Sequence, residues 1–154
     1  MGASDGTKAL MEKHHTALIY MMVLASAADT DITDAEVGRI SHMIRNLPVF
    51  AGFDMEHLNA TASACIDLLQ DEDGLDKAFD RIKAFLPVKL RETAYALACD
   101  VVAADGDVHQ EDLLFLEMAR HRLEIDRLIA AGIERGARAR FVRPSAADLR
   151  VKAS

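Results

Sequence analysis

The sequence has no tryptophan, and only 5% of its residues are aromatic although 51% are hydrophobic. A core without large rings must be assembled from Ala, Leu, Ile, Val and Met, and Ala, Leu and Met are strong helix formers. Three prolines fall between apolar runs, and no alternating strand pattern of useful length occurs, which excludes a β-rich fold. Cys65 and Cys99 are the two cysteines, far apart and each inside a helical apolar pattern. This excludes a disulfide framework and predicts reduced core thiols in a cytosolic protein. The uncharged stretch 16–28 falls short of the ~20 residues that a bilayer-spanning helix needs, and no secretory leader is expected before it. Sequence signatures of catalysis are missing too: there is no GxSxG, P-loop, GxGxxG or CxxC, so a non-enzymatic protein is expected.

What is present is a duplicated acidic stretch. Ala103-Ala104-Asp105-Gly106-Asp107-Val108, followed by Asp112, matches Ala27-Ala28-Asp29-Thr30-Asp31-Ile32, followed by Glu36, at an offset of 76 residues. The flanks match as well, with Leu18/Ala94, Met21/Leu97 and Ala25/Val101 upstream and Val37/Leu113, Ile40/Leu116 and Leu47/Leu123 downstream. Two helix, acidic loop, helix units related by an internal pseudo-two-fold are therefore expected.

Apolar spacing predicts about seven helices in a single all-α domain over 8–139. A central buried helix covers 8–28, after a frayed 1–7. Thr33 and Glu36 have capping-box spacing, so a second helix starts near Asp34, carries Val37, Ile40, Ile44 and Leu47, and stops at Pro48. Helices follow from Asp54 to Leu69, from Leu75 to a stop at Pro87, from Leu90 to Ala104, around Leu113 to Leu123, and from Asp126 onward, where Gly132 and Gly136 weaken the end. The core should rest on 8–28 and 89–104. Residues 140–154 form a basic tail, flexible or surface-bound.

The motif Ala-Ala-Asp-Gly, any residue, Ile or Val, three residues, then Glu resembles that of the tellurite-resistance TerB family and its TerB-like relatives. The second copy matches closely, with Asp112 in place of the terminal Glu, and the first has Thr30 in place of Gly. The resemblance covers about 8–139 and implies a small all-helical bacterial protein of the stress response. It also implies protein partners, some membrane-associated at the inner face of the membrane, and metal ions held at the acidic loops.

Read from the residues, Asp29, Asp31 and Glu36, and likewise Asp105, Asp107 and Asp112, place carboxylates at positions 1, 3 and 8 of each loop. Such oxygens suit a divalent cation, calcium, magnesium or similar, though the EF-hand pattern is absent. The same acids would equally serve as helix caps and a docking face without metal. His14, His15, His42, His57, His109 and His121 make no i, i+4 pair and are expected at the surface or half buried; only His109 lies in a loop. Asp100 is expected on the exposed far face of its helix. Formal charge is −7, but from Arg135 onward six basic residues face one acid. The acidic body disfavours nucleic acid. The tail can fold back onto an acidic loop in weak, salt-screened contacts, or seek anionic lipid.

Overall fold

The computed structural model describes residues 2–26 and 32–150, with side chains of the first helix described from Lys13. The first acidic loop, including Asp29 and Asp31, lies outside the described residues. Among those described there are eight α-helices, three short 3₁₀ turns and no strand: α1 (Gly2–Ser26), α2 (Asp34–Asn46), α3 (Leu58–Leu69), α4 (Gly74–Phe85), α5 (Arg91–Ala104), α6 (Gln110–Arg122), α7 (Arg127–Arg140) and α8 (Ala146–Leu149). None is long and apolar enough to cross a membrane.

Two helices are apolar on most sides over much of their length, and the others cover them. In α1 each residue from Ala17 to Ala25 is buried, and in α5 Ala94, Tyr95, Leu97, Ala98, Cys99, Val101, Val102 and Ala104 are. A helix without a polar face has to be enclosed. α1 packs against α5, α4 and α3, and α5 packs against α7 and α6. The outer helices bury a single stripe each: Ile40 and Ile44 of α2, Ala78, Phe79 and Ile82 of α4, Ala130 and Ala137 of α7.

Polar contacts fasten this shell to the centre. His14 and His15 both donate through Nε2 to the Val49 carbonyl, at 3.3 and 3.1 Å, because a carbonyl oxygen only accepts. This holds the turn after α2 against α1. His15 is 3% exposed, whereas a surface or half-buried position was expected; stacking on Phe50 and this hydrogen bond offset its desolvation. The Tyr95 hydroxyl donates to Glu134 at 2.6 Å, joining α5 to α7. Arg122 reaches Asp76 at 2.9 Å and lies over the Phe79 ring, joining α6 to α4.

Two helix boundaries and the placement of Asp100 correct the sequence reading. α1 begins at Gly2, within the segment 1–7 that was expected to be frayed. α7 continues past Gly132 and Gly136 to Arg140. Each glycine costs a helix interior about 1 kcal/mol relative to Ala, and burial of Ala130 and Ala137 on the core side opposes that cost. Asp100 is not on an outward face: its side chain is 20% exposed and ion-paired with Arg140. Within the tail, α8 starts at Ser145, whose hydroxyl accepts from the Asp148 amide at 3.2 Å while Asp148 accepts from the Ser145 amide at 2.8 Å.

Two predictions follow from this packing. A Cβ at the buried Gly74 would collide with the Leu68 carbonyl and lie 2.8 Å from the Leu69 Cα, both backbone atoms. Gly74→Ala should therefore destabilise the chain by about 1–3 kcal/mol, while Gly38→Ala, with nothing within 4 Å of its Cβ, should stabilise it by roughly 0.5–1 kcal/mol; urea midpoints compare them. Burial pushes the Cys65 and Cys99 thiols from 9.0 up to about 12. Nearby Arg81 partly opposes the shift at Cys65, and the Glu134 charge adds to it at Cys99. Because the folded values lie above the unfolded ones, this contribution to stability is complete below pH 9 and is lost as pH rises through 12. The urea midpoint should fall over that window, and less steeply in Cys65→Ala/Cys99→Ala.

Candidate functional site

The second acidic loop is a helix end followed by a helix start. α5 closes at Asp105, and Gly106 takes φ +88°, a left-handed conformation open to glycine at little cost, with its amide donating to the Ala103 carbonyl at 3.2 Å. The chain turns there and re-enters a helix at His109. The His109 amide donates to the Asp112 carboxylate at 2.9 Å, which places an anion at the positive end of α6. At α2 the same position is held by a full capping box: the Thr33 amide donates to Glu36 at 3.3 Å, and the Glu36 amide donates to the Thr33 hydroxyl at 3.2 Å. α2 and α6 thus begin, end and take their capping acid at one common offset of 76 residues.

Tertiary packing brings three of the sequence-selected acids to one place. Glu36, Asp105 and Asp112 line a cavity of about 240 Å³ together with Arg39, His109 and Ser26. Carboxylates from the two ends of the sequence match therefore face a shared space. Arg39 approaches Asp105 at 3.6 Å across it. Both side chains are partly in water, at 34% and 57% exposure, so the pair contributes no more than about 1 kcal/mol. Asp107 is placed elsewhere: it faces a second cavity of about 500 Å³ on the other side of the loop, bounded by α5, α6, α7 and 141–143. Asp29 and Asp31 lie outside the described residues.

Arg39 is the participant that the sequence reading missed. Its counterpart at the common offset is Phe115, so the duplication gives no hint of it; its position one turn after Glu36 was the available signal. Arg143 of the tail does come back to the second loop. Its guanidinium donates to the Ala104 carbonyl at 3.3 Å and lies beside Gly106.

As a cation site the cavity offers oxygen donors of the right kind. Among the described residues, however, no three His, Cys, Asp or Glu side chains gather into a metal-holding group. Glu36 and Asp112 each have an oxygen engaged by an N-cap amide, and Asp105 faces a guanidinium.

No curated protein and no solved structure matches the chain. A family model does, that of the tellurite resistance protein TerB, over residues 15–132. The match starts within α1, takes in both capped helices and the second acidic loop, and ends inside α7 before the basic tail. With most of its length so matched, and with the all-helical architecture and the two capped helix starts described above, the chain belongs to the TerB family of tellurite-resistance proteins.

Proposed function

We propose that this TerB-family chain is a non-enzymatic, cytoplasmic stress-response protein whose acidic loops take up a divalent cation in the cavity beside Glu36, Asp105 and Asp112. The observation that carries the reading is that Glu36, Asp105 and Asp112, drawn from both halves of the chain, line one cavity, with the Arg39 guanidinium 3.6 Å from Asp105 as its present counter-charge. A hard cation favours several oxygens at once. The described carboxylates do not complete such a set, and Asp29 and Asp31 of the first acidic loop lie outside the described residues. Asp107 lines the larger cavity.

A second reading, an interaction module that works without metal, draws on the capping bonds of Glu36 and Asp112. These acids already have a structural use, and the acidic surface around them then docks a basic segment of a protein partner, one associated with the membrane. Titration calorimetry with calcium, magnesium, manganese and zinc separates the two. Saturable heat is expected from the intact protein and should be lost in Asp105→Asn/Asp107→Asn. Removing the competing guanidinium in Arg39→Ala should tighten binding by about two- to fivefold, the equivalent of an exposed ion pair. Identical heats in all three proteins would leave the docking module.

A further inference from the structure

The cavity of about 500 Å³ beside the second loop shares Asp105 and Val102 with the smaller one, but the rest of its lining is different. We propose that it binds a small amphipathic anion, with an aliphatic body against the apolar wall and a carboxylate at Arg138 and Arg143. Its volume lies within the range of small-molecule sites, roughly 300–1,000 Å³. Val102, Leu116 and Ala137 are buried in its wall. At the rim, Val108, Leu113 and Val142 leave half or more of their surface in water, at 52%, 53% and 67% exposure. Apolar side chains exposed around a concavity are better satisfied by an apolar ligand than by solvent.

The charges select the head group. Two guanidiniums and three carboxylates border the space. Asp105 is paired with Arg39, and Glu134 accepts the Tyr95 hydroxyl at 2.6 Å, so both are already engaged. Asp107 is exposed and screened by solvent. Neither Arg138 nor Arg143 has a carboxylate within ion-pair distance among the described residues, and the Arg143 hydrogen bond goes to a neutral carbonyl. Arginine with an open fork is suited to bidentate capture of a carboxylate. Both arginines lie beyond residue 132, where the family match ends.

The test titrates the full chain with decanoate below its micellar concentration, and with decanol, decylamine and acetate for comparison. Decanoate should bind saturably, with the other three at least about tenfold weaker, since the site requires both the chain and the negative head. Arg138→Ala/Arg143→Ala alters exposed side chains only and should weaken decanoate by about tenfold or more. Ala137→Leu, which fills the wall, should weaken it too, with circular dichroism checking that the helices are intact. Absence of saturable decanoate binding, equal binding of decanol or decylamine, or an arginine variant that binds as the parent does would each overturn the assignment.

Discussion

Everything else in this protein is arranged around the enclosure of α1 by α5 and its neighbours. Leu18, Ile19, Met21, Met22 and Val23 are all fully buried on consecutive faces of α1, and burying one such side chain is worth about 1.5–3 kcal/mol relative to leaving it in water. No amphipathic arrangement could accommodate them, since every face is apolar from Ala17 to Ala25. α5 packs against α1 and carries Ala94 and Ala98, both fully buried; small side chains permit close approach. Enclosing two such helices requires others around them, which is why a chain of this size forms one multi-helix layer structure.

That arrangement also produces the candidate site. α1 and α5 both end at the same side of the core, and α2 and α6 restart there, so the chain must solve the same problem twice: stop a buried helix, turn, and cap an exposed one. Acidic residues are the economical answer, because a carboxylate both accepts from free amides and favours the positive end of a helix. The outcome is a cluster of negative charge whose members serve the backbone first. Any ligand at the smaller cavity competes with amide donors at Glu36 and Asp112 and with Arg39 at Asp105. The larger cavity is free of that competition on its cationic side, where the tail contributes Arg143.

Much of this was legible in the residues. The helical class, the positions of seven helices, the capping box at Thr33 and Glu36, and the TerB resemblance all came from local spacing, propensity and a duplicated motif, which depend on neighbours within a few turns. Harder to see were features in which distant segments decide. His15 reads as an ordinary polar residue until Phe50 and the Val49 carbonyl arrive from the turn after α2. Asp100 reads as outward-facing until Arg140, forty positions later, pairs with it. The glycines of α7 read as an ending because propensity alone omits the packing that opposes it.

Local patterning accounts for seven of the helices, the capping box at Thr33 and Glu36 and the family resemblance, since hydrogen bonding within a helix and at its first turn is local and each residue's preference is expressed there. Which acids share a space depends on long-range packing: Glu36, Asp105 and Asp112 meet at one cavity while Asp107, two residues from Asp105, faces another. Asp105 borders both spaces; Glu36 and Arg39 of α2 close the smaller one, and α7 with residues 141–143 closes the larger.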